Sequence, residues 1–315
     1  MTTFPARILI VGAGATGGYF GTRLLEAGRD VTFLLREARA ARVREHGLRV
    51  RALDGEFVSH PAVLTSQELS AAAPFDLVLL GVRADALEAA LEDLAPAVGP
   101  DTVIIPFLNG TRHLEVLRTR FAEAHVFGGV AKVSTSLDAE GTIVQVTPGA
   151  SIDFGALRPD ADAVTRTLAL LSVPGITVSS REDIIQDMWD KWVFIVSLTS
   201  ITALMGAPIG AVASTREGTE FARAVVDEAA TVSAAAGHPV SIRFHETLTA
   251  TATDPSSPMT TSVYRSMRAG VPSEVEAMLG TFQATARELG IDTPRIDLAT
   301  LRLRVHEHVI AQQRA

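Results

Sequence analysis

The sequence predicts an α/β fold, with a doubly wound parallel sheet in the first half and an all-helical domain in the second. In the first half, short apolar runs alternate with segments of helical periodicity, which is typical of parallel strands joined by crossover helices. Strand patterns nearly vanish after residue 180, and helical periodicity continues to the C-terminus. A length of 315 residues also exceeds one comfortable hydrophobic core. We therefore expect two domains, at residues 1–180 and 181–315.

The composition of the chain excludes several kinds of binding partner and chemistry. Hydrophobic residues make up 47% of the chain and charged residues 20%, as in folded domains without long disordered tails. A net charge of -8 without a basic cluster argues against nucleic acids and anionic membranes as partners. The absence of cysteine excludes disulfides and thiolate chemistry. No signal-peptide pattern opens the chain, so we expect a cytoplasmic protein. The sequence does not specify the oligomeric state, and a homodimer is one alternative.

The strands and helices of the first half follow in order. Arg7 to Val11 is predicted as a strand, residues 15–27 as a helix and Val31 to Leu35 as a second buried strand. Asp138-Ala139-Glu140-Gly141 is expected to turn a hairpin. Further strands are predicted at Leu77 to Leu80, Thr102 to Ile105, Val126 to Val130, Thr142 to Val146 and Ile176 to Val178.

An uncharged segment opens the helical half. No charged residue lies between Trp192 and Thr215, a length that could span a bilayer. The Gly206-Ala207-Pro208 break leaves an apolar helix of only about fourteen residues, which is the length of a buried core helix. We therefore predict the central helix of a soluble domain and no membrane span.

A glycine-rich turn follows the first strand and begins the first helix. Glycines in a G-x-G-x-x-G pattern permit a tight turn, close approach of a pyrophosphate and close helix packing, while the helix N-terminus faces the anion. In this strand–turn–helix context the pattern predicts a Rossmann-type dinucleotide site. The predicted cofactor-binding residues are Gly12, Ala13, Gly14, Ala15, Thr16 and Gly17.

The end of the second strand indicates which nucleotide binds. NAD sites usually place an acidic residue there for the ribose hydroxyls, whereas this chain has Arg36 after Phe33-Leu34-Leu35. An arginine at this position favours NADP, because it can pair with the 2′-phosphate. The alternative is an ordinary surface arginine in the charged run Arg36 to Arg39.

Lys191 is one of only two lysines among the 28 lysines and arginines of the chain. Burial can tune an ammonium group to release a proton, whereas an arginine stays charged, so Lys191 is a candidate catalytic acid. The alternative is an i, i+4 ion pair with Asp187. Helical spacing places Ile195 and Thr199 on the same face, where they would line one wall of a ligand site.

Three further polar residues are candidates, each with a structural alternative. Asn109, before Gly110, lies at a predicted strand end but is also a typical turn residue. Glu274 lies in Ser273-Glu274-Val275-Glu276, which also fits a helix capping box. Ser262 also fits a helix N-cap. The spacing of the eight histidines predicts no metal site.

Together these motifs resemble the ketopantoate reductase (2-dehydropantoate 2-reductase) family nearly end to end. The resemblance rests on the glycine turn, Arg36, Asn109-Gly110, Trp189-Asp190-Lys191 and the stretch from Ser262 to Glu274. It implies NADPH-dependent reduction of a 2-oxo acid to a 2-hydroxy acid, as in the conversion of ketopantoate to pantoate in pantothenate biosynthesis.

The resemblance also implies a role for each candidate. Lys191 takes the place of the catalytic lysine, and Glu274 that of the glutamate near the substrate hydroxyl. Asn109 matches an asparagine near nicotinamide and substrate, and Ser262 a serine near the substrate carboxylate. Arg83 stands where the family generally has a lysine near the cofactor.

The chain departs from the family where substrate is recognised. Ile195 and Thr199 replace two asparagines on the face of the catalytic lysine, and Leu279 replaces a later one. Loss of amide hydrogen bonds predicts a changed substrate preference. The open alternatives are a related oxo-acid or opine-type dehydrogenase with a different substrate, and a non-catalytic NADP(H)-binding sensor.

Overall fold

The computed structural model describes residues 6–121 and 126–314. The chain divides into two compact units, one of residues 1–108 and 113–185 and the other of residues 109–112 and 186–315. The second unit thus begins a few residues later than the domain boundary predicted at 180/181. It also includes a four-residue segment, Asn109–Arg112, that precedes it in the chain by more than seventy positions.

In the described part of the chain, ten strands and six α-helices have most of their residues in the first unit. The strands are β1 (Arg7–Val11), β2 (Asp30–Leu34), β3 (Leu48–Ala52), β4 (Gly55–Ser59), β5 (Ala62–Leu64), β6 (Phe75–Leu80), β7 (Val98–Pro106), β8 (Phe127–Leu137), β9 (Ile143–Ala156) and β10 (Thr177–Ser180). The helices are α1 (Ala15–Glu26), α2 (Glu37–His46), α3 (Ser66–Leu69), α4 (Leu87–Leu94), α5 (Arg112–Arg120) and α6 (Ala161–Leu171).

A five-stranded sheet of entirely parallel strands, in the order β5-β2-β1-β6-β7, confirms the Rossmann-type prediction. Four of the five residues of β1 are buried, as expected of a central strand in a parallel sheet. The order reverses between β1 and β6, so the turn after β1 lies at a topological switch point.

A second sheet, in the order β10-β9-β3-β4 with β8 paired to β9, completes the unit and was not predicted as a separate layer. The predicted hairpin at Asp138–Gly141 is confirmed, because β8 and β9 pair antiparallel across it. Helix α1 packs closely between side chains of both sheets. A Cβ atom at Gly18 would lie 2.3 Å from Ile143 of β9, and one at Gly21 would lie 2.4 Å from Phe33 of β2.

The second unit is helical in its described residues, as predicted. Its helices are α7 (Ile184–Met205), α8 (Ile209–Ala213), α9 (Arg216–Ala235), α10 (Ile242–Ala252), α11 (Ser262–Arg268), α12 (Thr281–Glu288) and α13 (Pro294–Arg314). A π-helical turn, Glu276–Gly280, precedes α12.

Helix α7 contains most of the uncharged segment that is long enough to span a bilayer. It ends at Met205, directly before the predicted break at Gly206. Val193, Val196 and Ile201 are fully buried within the fold. Among the described residues, no helix is both long enough and apolar enough to span a membrane.

Candidate functional site

The glycine turn joins the centre of the parallel sheet to α1. Gly12 has a φ of +94°, a backbone conformation that favours glycine. Its N–H donates to the carbonyl of Leu34 in β2 (3.1 Å), and Gly81 N–H donates to the carbonyl of Val11 (3.0 Å). The turn is therefore anchored to the strands on both sides of it.

Space around the turn distinguishes its other two glycines. A Cβ atom at Gly17 would lie 2.5 Å from the carbonyl oxygen of Gly12, so only glycine fits without a backbone shift. A Cβ atom at Gly14 would meet nothing within 4 Å. Gly14 thus borders open space beside the helix N-terminus, which is the room that a pyrophosphate needs.

The N-terminus of α1 is suited to an anion. Gly14 is the N-cap and provides no side-chain hydrogen bond, and the first turn, which includes Ala15 and Thr16, contains no acidic residue. Unsatisfied N–H groups and the helix dipole favour negative charge at such an end. Ala13, within the turn, is buried. The geometry of the predicted residues therefore fits a dinucleotide phosphate.

Two arginines lie at the ends of neighbouring strands. Arg36 follows β2, is exposed and is the N-cap residue of α2. Within residues 6–121 and 126–314 its side chain makes no hydrogen bond or ion pair, so its donors are available to a ligand. Arg83 follows β6 and contacts the carboxylate of Asp85 through Nε and Nη2, both at 3.2 Å. This ion pair is exposed and therefore weak.

Lys191 lies in the second turn of α7 and is partly buried. The next residue, Trp192, is 1% exposed and packs edge-on against Phe282, with ring centroids 5.0 Å apart. Trp189 also contacts the Trp192 ring, at 5.0 Å, and stacks on His238 at 5.4 Å. Lys191 thus lies in a closely packed, aromatic part of the helix.

Two distant segments meet at Trp192. A Cβ atom at Gly110 would lie 3.2 Å from the indole ring, which places the Asn109-Gly110 segment against it. The indole N–H donates to the carbonyl of Met278 at 3.0 Å, and this bond is buried. Met278 belongs to the π-helical turn, and such turns occur frequently at functional sites. The Asn109-Gly110 segment and the segment that follows Glu274 therefore both pack against Trp192, the residue next to Lys191 in α7.

Glu274 is partly buried and lies just before the π-helical turn. The capping-box interpretation of this segment is wrong. Ser273 N–H and Oγ instead donate to Glu307 Oε1, at 2.5 and 2.7 Å. The π turn is held by Arg304, whose Nε and Nη2 donate to the two carboxylate oxygens of Glu276 at 2.6 and 2.8 Å. These charge-assisted bonds lower the pKa of Glu276.

Ser262 is the exposed first residue of α11, and its N-cap interpretation is wrong. The cap is Thr261, whose Oγ1 accepts a hydrogen bond from Tyr264 N–H at 3.2 Å. The same hydroxyl lies 3.2 Å from Thr202 Oγ1 of α7. This contact brings the start of α11 to the helix that carries Lys191.

The two residues that replace the family's amides differ in accessibility. Ile195 is partly buried and packs against a core that includes Val275 and Met278. Thr199 is fully buried, and its hydroxyl has no hydrogen-bond partner in the described chain. Ile195 thus retains some exposed surface, whereas Thr199 is closed to solvent.

Three features of this site were not predicted from the sequence. They are the hydrogen bond from Trp192 to Met278, the π turn, and the pair of hydrogen bonds from Arg304 to Glu276. The only available signal was the pairing of both tryptophans with the rare lysine. No group of three or more histidine, aspartate or glutamate side chains in the described residues could hold a metal ion.

Comparisons with known proteins extend over nearly the whole chain. Residues 8–159 match the ketopantoate reductase PanE/ApbA family, and residues 183–307 match the PanE/ApbA C-terminal family. The uncharacterized oxidoreductase YkpB of Bacillus subtilis is 32% identical over 96% of this chain and 99% of its own. A 2-dehydropantoate 2-reductase of Mesorhizobium japonicum is 28% identical over 92% of this chain and 94% of its own.

Solved structures show the same fold. The 2-dehydropantoate 2-reductase of Geobacter metallireducens superposes with a TM-score of 0.84 at 25% identity, covering 95% of this chain and 99% of that one. A D-mandelate dehydrogenase, solved with NADH and anilino(oxo)acetate, gives a TM-score of 0.87 at 20% identity and covers 97% and 99%. The glycine turn, the arrangement around Lys191 and these matches place the chain in the ketopantoate reductase family of oxidoreductases.

Proposed function

We propose that this protein uses NADPH to reduce a 2-oxo acid to a 2-hydroxy acid. The observation that carries the proposal is that the Asn109 segment and the segment that follows Glu274 both pack against Trp192, the residue next to Lys191 in α7. The open space at Gly14 and the uncapped N-terminus of α1 support nucleotide binding. Arg36 supports NADP rather than NAD.

Reduction of a carbonyl requires a hydride at carbon and a proton at oxygen. Bound NADPH supplies the hydride. Lys191 Nζ stabilises the negative charge that develops on the carbonyl oxygen and gives up its proton to that oxygen. The lysine is left neutral and regains a proton from solvent. Together the hydride and the proton account for the two-electron reduction.

The remaining predicted residues position the lysine and the substrate. Glu274 orients the Lys191 ammonium group and accepts a hydrogen bond from the new hydroxyl. Asn109 binds near the nicotinamide and the reacting carbonyl, and Ser262 contacts the substrate carboxylate. In the glycine turn, Gly12 to Gly17 hold the pyrophosphate, and Arg83 lies near the cofactor in place of a lysine.

Ile195 supports a 2-oxo acid whose side chain is more apolar than that of ketopantoate. The Ile195 side chain has no hydrogen-bonding group, so the hydroxyl of a substrate such as ketopantoate would have no partner there. Conversion of ketopantoate in pantothenate biosynthesis is the other candidate, supported by family membership.

The test is NADPH oxidation with a panel of 2-oxo acids. The panel contains ketopantoate, its analogue without the hydroxyl group, and linear, branched and aromatic members, with NADH as the cofactor control. We expect turnover with NADPH and a preference for apolar branched members. Tight NADPH binding without oxidation by any member would instead support a non-catalytic sensor. Preference for NADH would refute the role given to Arg36.

A further inference from the structure

Three arginines follow one another at intervals of three along the start of α2. Arg36 is the N-cap residue, and Arg39 and Arg42 lie one and two turns further on. Arg36 and Arg42 are exposed, whereas Arg39 is partly buried. Their helix begins where β2 ends, beside the glycine turn.

Arg39 reaches the glycine turn itself. Its Nη2 lies 3.5 Å from the carbonyl oxygen of Ala13, a contact too long to satisfy the guanidinium group. A Cβ atom built on Gly141 would lie 3.3 Å from Arg39 Nη1 and 3.5 Å from Arg42 Nη2. The two cationic groups therefore converge on one small region next to the turn.

Within the described residues, no carboxylate pairs with either of these two guanidinium groups. In the part of the chain that the structure describes, neither Arg39 nor Arg42 forms an ion pair, and Arg42 donates instead to the carbonyl of Glu140. Arg44, in the same helix, binds the Glu68 carboxylate at 2.6 Å. Burial and, to a smaller degree, the charge of Arg42 lower the pKa of the Arg39 guanidinium. A partly buried cation beside a like charge would be stabilised by a bound anion.

We propose that Arg39 is a second recognition residue for the 2′-phosphate of NADP(H), acting beside Arg36, with Arg42 adding positive potential. A guanidinium group offers several donors in a planar fork that matches phosphate oxygens. Arg36 and Arg39 then share one dianionic group, whose charge also offsets the repulsion between Arg39 and Arg42. This inference rests on the proposed use of NADPH and assigns a residue to it.

The experiment measures binding of 2′,5′-ADP and 5′-AMP to the full-length protein by calorimetry, without substrate or turnover. The variants are Arg39→Gln, Arg36→Gln and, as a matched control, Arg166→Gln, an exposed arginine of α6. We expect Arg39→Gln to weaken 2′,5′-ADP binding by about tenfold or more and 5′-AMP binding by less than about twofold. Arg166→Gln should leave both affinities unchanged.

Arg39→Lys adds a second measurement. Lysine retains the positive charge but lacks the planar set of guanidinium donors, so Arg39→Lys should lose less 2′,5′-ADP affinity than Arg39→Gln. Thermal unfolding of each variant establishes that it is folded.

The outcomes separate the two proposals. If Arg36→Gln reduces the preference for 2′,5′-ADP and Arg39→Gln does not, the inference is overturned while the use of NADPH stands. Equal weakening of both ligands by Arg39→Gln also overturns it, because a structural role in the turn would affect both. If the wild-type protein does not prefer 2′,5′-ADP to 5′-AMP, both proposals fail.

Discussion

The glycine turn and the surroundings of Lys191 are built in opposite ways. The turn consists of six consecutive residues, Gly12 to Gly17, fixed by hydrogen bonds to adjacent strands. Around α7, the helix of Lys191, segments near residues 109, 262 and 274 are held by an indole N–H, a pair of threonine hydroxyls and a packed core. The first region is formed by consecutive residues, so substitutions in distant parts of the chain should leave it intact. The second depends on long-range packing. Under the proposed function, substitutions in the second region would change substrate preference and leave nucleotide binding intact.

The largest expected effect separates the two regions directly. Replacing Lys191 with alanine should reduce turnover by roughly a hundredfold or more, because both proton delivery and charge stabilisation are lost. Binding of NADPH should remain largely intact, since the glycine turn is unchanged. Steady-state kinetics with the best 2-oxo acid and a fluorescence titration of NADPH measure the two quantities. Unchanged turnover would contradict the catalytic role.

Two glycines of the turn provide a matched pair. In Gly17→Ala the new methyl group would lie 2.5 Å from a backbone oxygen, so we expect a loss of folding stability of about 1–3 kcal/mol. Gly14→Ala has open space and a φ of −76°, so its stability should be nearly unchanged. Its NADPH affinity should nevertheless fall, because the methyl group occupies the pyrophosphate position. Thermal unfolding and NADPH titration together check the pair, and full NADPH affinity in Gly14→Ala would disprove the assigned position.

The tryptophans test the long-range assembly. Trp192→Phe leaves the buried carbonyl of Met278 without its donor, at a cost of about 1–3 kcal/mol. Trp189→Phe is the control, because the indole N–H of Trp189 makes no hydrogen bond to the described residues. We expect Trp192→Phe to be the less stable in urea and to lower turnover without changing NADPH affinity. Equal effects of the two substitutions would show that ring volume matters and the hydrogen bond does not.

The smallest effect concerns the π turn and pH. Arg304 holds the pKa of Glu276 below its ordinary value, so the ionised carboxylate stabilises the folded state above the unfolded-state pKa. That contribution is lost as the pH falls through the folded-state pKa. Because the Glu276 side chain is 64% exposed, we expect at most about 1 kcal/mol.

Urea unfolding from neutral pH down to about pH 3 measures this contribution. Glu276→Gln should be less stable than wild type at neutral pH, and the two should converge in acid. Glu246→Gln, at an exposed position without an ion pair in the described chain, should follow wild type throughout. A constant difference between Glu276→Gln and wild type at every pH would contradict the ionic origin of the effect.

Local patterns predicted much of the fold. Strand β1, the glycine turn and the β8–β9 hairpin follow from apolar runs and turn residues that are contiguous in the chain. Strands β3, β4 and β5 were missed. In β3 the buried positions alternate with Arg49 and Arg51, which obscures its apolar character. The Asp54-Gly55 pair that joins β3 to β4 was the available hairpin signal.

The candidate site was predictable only as a set of residues. The rarity of lysine and helical spacing singled out Lys191 and its face, but the bond from Trp192 to Met278 joins residues 86 positions apart. No local pattern specifies such a partner. The same holds for Asn109, which the chain order assigns to the first half and the packing assigns to the second unit.

The most direct test of the central claim is the turnover of Lys191→Arg with NADPH and the best 2-oxo acid, compared with Lys191→Ala. Arginine retains the positive charge but does not release a proton at ordinary pH. If Lys191 is the proton donor, Lys191→Arg should lose activity by the same order as Lys191→Ala, roughly a hundredfold. Turnover within a few-fold of wild type in Lys191→Arg would show that charge alone suffices and would contradict the claim.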